Sequence, residues 1–288
     1  MNILAINWNP NLGIDLGFFV IRYYSLMYII GFMIGYYILR KVFISEKVDI
    51  SLLDPILTYV FVGTLLGARL GHVFFYDWNN YFKNHLMEIL VPVRANPNAN
   101  VLGINGYEFT GFQGLASHGA AIGIMIALIL FWLKYFKGDK SLLWLMDRVA
   151  LTIPFGGALI RIGNLLNSEI IGKPTGTNYG FIFQQLGEDF PRHPTQIYEA
   201  SAYMILLLLM LYLFWRTNIK KYEGMLFGVF FLLLWVIRFF IEFYKEPQKE
   251  TPSDLMLATG LDTGQLLSIP FAILGAIMMF WAYKKNAR

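Results

Sequence analysis

One stretch of sequence decides the fold class of this protein, Ile197-Tyr-Glu-Ala-Ser-Ala-Tyr-Met-Ile-Leu-Leu-Leu-Leu-Met-Leu-Tyr-Leu-Phe-Trp215. A helix of this length crosses about 30 Å of hydrocarbon, and the stretch carries one acid, Glu199, and no basic residue. Six further apolar runs have comparable length, at about 18–39, 52–76, 117–136, 142–163, 224–244 and 265–283. The sequence therefore predicts an all-α membrane protein, a polytopic bundle of about seven transmembrane helices.

Composition supports a membrane protein and excludes several kinds of site. Hydrophobic residues make up 57% of the chain and charged residues 15%, whereas soluble proteins carry about 25% charged residues. The absence of cysteine excludes disulfides, thiolate metal sites and a cysteine nucleophile. The net charge of +4 is explained by basic cytoplasmic loops rather than by nucleic-acid binding. We expect no cofactor, no metal and no nucleic-acid partner.

The chain is expected to form a single integral membrane domain over residues 1–288, because no stretch is polar enough for a separate soluble domain. An extracytoplasmic arm at about 77–116 and a head at about 164–196 are predicted between the helices. Such long connections commonly carry function. No basic residue precedes Arg22, so a cleavable signal peptide is not expected.

Basic residues predict the orientation of the bundle. The connections after the first, third, fifth and seventh runs each carry three lysines or arginines. They are Arg40, Lys41, Lys47, Lys134, Lys137, Lys140, Arg216, Lys220, Lys221, Lys284, Lys285 and Arg288. All four segments share one side of the membrane, which the positive-inside rule assigns to the cytoplasm. The N-terminus is then outside and the C-terminus cytoplasmic.

Small residues and a proline predict two local features of the spans. Gly63, Gly67 and Gly71 form a ladder four residues apart, which favours close approach of a neighbouring helix. Pro154, followed by two glycines at 156 and 157, predicts a kink in the fourth span.

Arg161 ends the fourth span and is the strongest site candidate. Asn164 lies three residues later on the same helical face, and Asn167 and Glu169 follow. A guanidinium here can bind a phosphate through two hydrogen bonds, with the amide as a second donor. The alternative is an arginine that reaches lipid headgroups from a helix end. The neighbouring amides, which headgroup anchoring does not require, favour a site.

Arg238 and Glu242 lie in the sixth span, four residues apart, and can pair on one helical face. Such a pair can simply neutralise itself inside the bundle. A helix without either charge would cost less in the membrane, however, so a functional role is favoured.

His118 opens the third span, where the helix dipole favours a neutral imidazole that could accept a proton. Taken alone, the segment favours an interfacial histidine bound to a loop carbonyl. Arg69, late in the second span, is either a third phosphate contact or a buried structural cation. Asp147 and Arg148, near the start of the fourth span, are expected to cap helix ends.

The segment Arg192-His-Pro-Thr-Gln-Ile-Tyr-Glu199 introduces the fifth span. Pro194 and Thr195 suit the start of a helix. The segment also carries more polarity than a helix start requires, in Arg192, His193, Gln196 and Glu199.

Seven segments in chain order resemble the prolipoprotein diacylglyceryl transferase family. They are Arg22-Tyr-Tyr24, Gly67-Ala-Arg-Leu-Gly71, His118-Gly-Ala-Ala-Ile-Gly123, Arg161-Ile-Gly-Asn-Leu-Leu-Asn-Ser-Glu169, the Arg192–Glu199 segment, Arg238-Phe-Phe-Ile-Glu242 and Gly264-Gln-Leu-Leu-Ser268. The resemblance covers nearly the whole chain and agrees with the predicted number of spans.

The resemblance implies a reaction, its substrates and a location. The family transfers the diacylglyceryl group of phosphatidylglycerol to the lipobox cysteine thiol of prolipoproteins, forming a thioether and releasing glycerol phosphate. This is the first step of bacterial lipoprotein maturation. The implied partners are phosphatidylglycerol, prolipoprotein signal peptides and membrane lipid. The implied location is the inner membrane, with the site toward its periplasmic face. Since the thiol belongs to the substrate, the enzyme needs no cysteine.

The resemblance also implies roles for individual residues. Arg161 and Asn164 match the family's signature arginine and asparagine, and Arg238 matches its second essential arginine. Four other matching positions are Tyr24, His118, Glu169 and Glu242. The resulting hypothesis is that Arg161 and Arg238 clamp the phosphodiester and stabilise the leaving phosphate.

In the same hypothesis Tyr24 and Asn164 orient the headgroup, and Glu169 and Arg69 also contact substrate. His118 accepts the thiol proton, and Glu242 belongs to the catalytic group.

Five departures from the family pattern stand out. They are Ala120 for the second glycine after the histidine, Ile160 for the glycine before Arg161, Leu234 for a tyrosine, Lys245 for a later arginine, and an apparent insertion at 91–107. Lysine keeps the charge of arginine but loses its two-pronged donor geometry.

Two other functions would also place charged residues in the membrane or a multi-span bundle. A transporter or channel for an anion would have Arg161 and Arg238 along its path, and predicts internal repeats and discontinuous helices in both halves. The sequence has no such repeat, and the arginines lie toward one face. A non-catalytic scaffold leaves the charges inside the membrane unexplained.

Overall fold

The computed structural model describes residues 4–17, 20–79, 81, 86–91, 93–101, 104–109, 114–247 and 254–286. Helices dominate these residues. They are α1 Tyr23–Ser45, α2 Leu53–Tyr76, α3 Leu86–Leu90, α4 Ser117–Tyr135, α5 Leu142–Ala150, α6 Ile153–Leu166, α7 Thr195–Arg216, α8 Met225–Glu242, α9 Asp254–Thr259 and α10 Thr263–Asn286. The strands are β1 Leu4–Trp8, β2 Gly13–Asp15, β3 Val20–Arg22, β4 Val93–Val101, β5 Ile104–Phe109 and β6 Tyr179–Phe183.

Six helices in the described residues are long and apolar enough to cross a membrane, and α5 with α6 makes a seventh span if the bent pair is counted as one. The prediction of an all-α bundle of about seven transmembrane helices is confirmed. The predicted kink in the fourth span is also present, as a bend of 43° between α5 and α6. Pro154 lies in the first turn of α6, where its missing N–H leaves no helical hydrogen bond unmade. The chain is a multi-pass membrane protein.

The predicted boundaries of the first span are wrong at both ends. The run was expected at about 18–39, whereas α1 begins at Tyr23 and ends at Ser45. The β-branched residues at the start of the run form β3, which pairs antiparallel with β2. At the other end Val42 and Phe43 are fully buried, and this packing extends the helix. Residues 18 and 19 lie outside the described part of the chain.

The chain divides into two compact units. The first unit comprises Met1–Val48 and Met146–Arg288, and the second comprises Asp49–Leu145. Inside the first unit the long helices are neighbours in the order α1, α6, α7, α8 and α10. Glycines bring α8 and α10 close together: a Cβ on Gly275 would lie 2.5 Å from the backbone nitrogen of Leu232.

Asp147 and Arg148 stabilise helix ends in the first unit, as the sequence predicts. The carboxylate of Asp147 accepts the N–H groups of Gly224 and Phe227, each at 2.8 Å, and so caps α8 rather than its own helix. Arg148 donates two hydrogen bonds to Glu46, at 2.7 and 2.8 Å, directly after α1. A buried arginine and aspartate thus fix α5 to two other helices.

The second unit is built on the predicted glycine ladder. Gly63, Gly67 and Gly71 of α2 lie against Gly119 and Gly123 of α4, and a Cβ on Gly67 would be 2.8 Å from the Cα of Gly123. Real Cβ atoms do not approach other atoms this closely. The contact therefore depends on the missing side chains, which confirms the predicted close approach.

Part of the predicted arm is a hairpin in this unit. Strands β4 and β5 pair antiparallel, with a register irregularity between Ala95 and Asn100. The apparent insertion at 91–107 is largely this hairpin. Residues 80, 82–85, 92, 102–103 and 110–113 of the arm lie outside the described residues.

Replacement of Gly67 by alanine is expected to destabilise the protein by about 1–3 kcal/mol, since a methyl group must displace the α4 backbone. Gly156→Ala is the matched control, because a Cβ at this helical position meets nothing within 4 Å. Thermal midpoints in detergent compare the two variants. Equal midpoints for both would contradict the packing assigned to the ladder.

Candidate active site

The N-terminal strand fixes the end of α6, the helix that carries Arg161. Strand β1 pairs in parallel with β6, from Leu4 opposite Tyr179 to Trp8 opposite Phe183. Trp8 donates its Nε1–H to the carbonyl of Leu165 at 2.8 Å. Leu165 is itself buried with Phe183 in a small apolar cluster. Strands β1 and β6 therefore hold the last turn of α6 from the side.

The turn after α6 has a strained backbone. Ser168 has φ of 55° and Ile170 has φ of 53°, in the left-handed region that a β-branched residue rarely adopts. Each such residue costs on the order of 1–3 kcal/mol. Two residues at the start of α7 hold the turn: Thr195 donates to the Ile170 carbonyl at 3.1 Å, and Gln196 to the Glu169 carbonyl at 2.7 Å. Of the extra polarity at this helix start, Gln196 thus serves the turn.

A chain of hydrogen bonds runs through the predicted signature residues. Arg161 Nη1 donates to Asn164 Oδ1 at 3.1 Å, and Asn164 Nδ2 donates to Glu169 Oε2 at 3.0 Å. Asn167 donates to the other Glu169 oxygen at 3.2 Å. Asn164 is 4% exposed. The side-chain oxygen of Asn164 therefore accepts a hydrogen bond from a cation, and its side-chain nitrogen donates one to an anion. These two bonds fix the orientation of the amide.

Glu199 is the buried anion at which this group of side chains meets. Its side chain is 0% exposed, and its Oε2 lies 2.5 Å from Arg161 Nε. The Nε–H is not aligned with that oxygen, so the contact is an ion pair rather than a directed hydrogen bond. The other oxygen accepts from Lys245 Nζ at 3.0 Å and from the Tyr203 hydroxyl at 3.5 Å. From the sequence, Glu199 is the single acid in an otherwise apolar span and part of the surplus polarity, but no role in the site is assigned to it there.

Glu242 pairs with Lys245 and not, as predicted, with Arg238. Helix α8 ends at Glu242, and the following turn brings Lys245 Nζ to 3.1 Å from the Glu242 carboxylate. At position 245, where the family pattern has arginine, a lysine can still bridge two carboxylates, because its ammonium group acts as a point charge. Gly264 leaves room for the Glu242 carboxylate, since a Cβ there would be 2.8 Å from its Cγ.

Arg238 has a different environment from the other cations. Its guanidinium carbon lies 5.4 Å from the centre of the Trp235 ring, and the cation interacts electrostatically with Glu199 and Tyr203. Its Nε is buried and has no hydrogen-bond partner among the described residues. Across those residues no carboxylate lies within ion-pair distance of it. Arg238 is therefore the cation left available to an anionic ligand.

Tyr24 belongs to the same group of residues. Its hydroxyl lies 3.2 Å from that of Tyr28, and it interacts electrostatically with Arg161 and Glu169. The ring packs on α6 at Gly163, where a Cβ would be 2.6 Å from the Tyr24 Cδ2. The structure thus brings Tyr24, Arg161, Asn164, Glu169, Arg238 and Glu242 together around Glu199 and Lys245.

Comparison with known proteins agrees with this set of residues. The family model described as prolipoprotein diacylglyceryl transferase matches residues 11–281. The chain belongs to the prolipoprotein diacylglyceryl transferase family. The resemblance inferred from the seven sequence segments is therefore confirmed.

Curated members of this family are similar over nearly the whole chain. A relative from Bacteroides fragilis is 40% identical over 286 residues, covering 99% of this chain and 98% of its own length. One from Tolumonas auensis is 36% identical, covering 98% and 99%, and one from Porphyromonas gingivalis is 39% identical, covering 92% and 89%. Each is named phosphatidylglycerol–prolipoprotein diacylglyceryl transferase.

Two predicted site residues of this family member lie in the second unit. His118 is exposed at the start of α4, and its role as proton acceptor stays a prediction. Arg69 is 3% exposed and donates to the carbonyls of Glu88 and Ile89, with Tyr81 stacked at 4.5 Å. This geometry supports the structural alternative for Arg69: it ties the arm to α2 rather than binding phosphate.

Arg192 serves the head of this transferase family member in the same structural way. It donates to both carboxylate oxygens of Glu188, at 2.6 and 2.7 Å, and to Glu246 at 2.8 Å. The hydrogen bonds to Glu188 raise the pKa of Arg192 above its ordinary value. The surplus charge in this segment thus joins the head to the chain that follows α8.

Replacement of Glu199 by glutamine is expected to lower the stability of the protein by several kcal/mol, since breaking a buried ion pair costs about 3–5 kcal/mol. Two cations would lose their shared anion while staying inside the bundle. Thermal unfolding in detergent measures the loss. Glu246→Gln is the control, because that side chain is 46% exposed and its pair is worth about 1 kcal/mol at most. A Glu199→Gln variant as stable as the control would contradict the central role of this carboxylate.

Proposed function

We propose that this membrane transferase moves the diacylglyceryl group of phosphatidylglycerol onto the lipobox cysteine thiol of a prolipoprotein. Membership of the family and the names of its curated relatives support this reaction. The observation that carries it in the structure is Arg238, a half-buried cation without a carboxylate partner among the described residues, in the same group as the Arg161–Asn164–Glu169 chain.

The reaction exchanges one bond to a glycerol carbon for another. The cysteine sulfur attacks the glycerol carbon that carries the phosphate, the carbon–oxygen bond breaks, and glycerol phosphate leaves with the bond's electron pair. The thiol proton passes to an acceptor or to solvent. Because a free thiol has a pKa of about 8.5, a small part of the cysteine is already thiolate near neutral pH. The larger task is therefore to stabilise the leaving phosphate.

Two arginines suit that task. Arg161 and Arg238 would bind the phosphodiester oxygens and stabilise the negative charge that develops as the bond breaks. Arg161 is held by Glu199 and Asn164, so its position is set before lipid binds. This fixed geometry lowers the reorganisation needed in the transition state.

The neighbouring polar residues would recognise the rest of the headgroup. Tyr24 and Asn164 would orient it, and the exposed Glu169 carboxylate would accept a hydrogen bond from a glycerol hydroxyl. Glu242 would belong to the same group because Lys245 forms ion pairs with both Glu242 and Glu199. His118 remains the candidate acceptor for the thiol proton.

We further propose that the protein lies in the bacterial inner membrane, with the N-terminus and this site toward the periplasm. The basic connections after four of the spans support the orientation through the positive-inside rule. The same orientation gives the site access to the outer leaflet and to the signal peptides of exported proteins.

Reconstitution in vesicles of phosphatidylglycerol with a lipobox peptide tests the reaction. Transfer appears as a gain on the peptide cysteine equal to one diacylglyceryl group in a mass spectrum. Replacement of Arg161 by glutamine should lower the rate about 100-fold or more, as removal of a single transition-state donor does elsewhere. Arg216→Gln, at an exposed position, is the control. A fully active Arg161→Gln variant would contradict the phosphate clamp, and anion flux without any mass gain would favour a transporter.

Replacement of Gly163 by alanine tests the placement of Tyr24. The methyl group must displace the Tyr24 ring, so the transfer rate should fall at least about tenfold while the protein still inserts and folds. Gly156→Ala on the same helix should keep wild-type activity, because its Cβ has open space. Equal activity of the two variants would show that the Tyr24 position does not matter for transfer.

A further inference from the structure

Helix α8 carries two buried donors that lack acceptors, one turn apart. These are the indole Nε1–H of Trp235 and the Nε–H of Arg238. Residues three apart share one face of a helix, and the Arg238 guanidinium lies 5.4 Å from the centre of the Trp235 ring. The phosphate clamp uses Arg238 and leaves the Trp235 donor without a function.

The Trp235 ring is held firmly by its neighbours. It stacks on Phe271 of α10 at 4.5 Å between ring centres, with 23° between the planes, and it meets the edge of Phe231 at 6.1 Å. Phenylalanine at this position would make the same stacking contacts. A buried donor without an acceptor is unfavourable, so the indole N–H indicates a polar ligand at this point.

The chemistry of the donor restricts that ligand to a hydrogen-bond acceptor. Indole can only donate, and it carries no charge to balance a phosphate. Adjacent residues on a helix rise by 1.5 Å, so Trp235 lies about 4.5 Å along the axis from Arg238. It is also farther from the end of α8 at Glu242, and hence deeper in the span. In a phospholipid the ester carbonyls lie at this relative depth, on the hydrocarbon side of the phosphate.

We propose that Trp235 binds an ester carbonyl of the diacylglyceryl group through Nε1–H while Arg238 binds the phosphate above it. This inference rests on the proposed function. It makes Trp235 a substrate-binding residue that recognises the ester linkage of the transferred group through a hydrogen bond. The carbonyl itself takes no part in the bond exchange, so Trp235 contributes to lipid affinity and to the position of the glycerol carbon.

Paired lipids test the inference. Diacyl phosphatidylglycerol has the ester carbonyls, and dialkyl phosphatidylglycerol has the same headgroup and chain length without them. The KM for lipid is measured by transfer to a lipobox peptide in mixed micelles. For the wild-type protein we expect the dialkyl lipid to raise KM about three- to tenfold, the range for one neutral hydrogen bond. Trp235→Phe should raise KM for the diacyl lipid by a similar factor and abolish the preference between the two lipids.

Two control variants make the result specific. Trp281→Phe, at a 48% exposed position of α10, should keep the wild-type preference. Arg238→Lys should slow transfer from both lipids and leave their KM ratio unchanged, because both carry the phosphate.

Three outcomes would overturn the inference. Equal KM values for the two lipids in the wild-type protein would do so whether or not the variant folds. An undiminished preference in Trp235→Phe would do so while leaving the transfer reaction intact. Absence of transfer from the diacyl lipid by the wild-type protein would instead remove the proposed function, and the inference with it. Stabilisation of the protein against heat by each lipid gives the same comparison without turnover.

Discussion

One buried carboxylate, that of Glu199, organises the polar interior of the first unit. Three cationic side chains lie around it, and isolated cations at this depth in a membrane are costly. One oxygen of Glu199 contacts Arg161 and the other contacts Lys245. Lys245 also forms an ion pair with Glu242. A single acid in the fifth span thereby makes it possible to keep arginines from the fourth and sixth spans inside the bundle.

The arrangement differs from a set of closed ion pairs in one respect. Arg161 is bound on two sides, by an ion pair with Glu199 and a hydrogen bond to Asn164. Arg238 interacts electrostatically with Glu199, but among the described residues no carboxylate lies within ion-pair distance of it. Arg161 is thus fixed in position, whereas Arg238 has donor groups that can still bind an anion. This asymmetry favours a ligand site over a purely structural network, in which each charge would be matched. It also accounts for the group better than an anion path does. In the described part of the chain the only broken span is α5–α6, whereas a transporter of two repeats would have one in each half.

The sequence was sufficient for features that depend on local composition. Apolar run length predicted the spans, the glycine ladder predicted a close helix contact without identifying α4 as the partner, and Pro154 marked the bend in the fourth span. It was insufficient where partners come from distant segments. The apolar run places Val20 and Ile21 in the first helix, whereas in the structure they lie in β3 and pair with β2. Helical spacing suggested a pair between Arg238 and Glu242, but the turn after α8 supplies Lys245 from outside the helix. Arg69 has the same ambiguity, and the contacts that favour a structural role are with the carbonyls of Glu88 and Ile89, about twenty residues away.

The strained turn at Ser168 and Ile170 has a consequence for how the protein is made. Its left-handed residues are kept in place by Thr195 and Gln196 at the start of the next span; Glu169 lies within the turn and Asn164 just before it. Before α7 is seated, these two hydrogen bonds are missing, so less opposes the strain and the turn can relax toward ordinary backbone angles. The side chains that we propose to face the lipid headgroup therefore reach their positions only after the following helix has docked. A nascent chain with four spans in the membrane does not yet hold these side chains in place, so assembly of the bundle and the proposed lipid binding arise together.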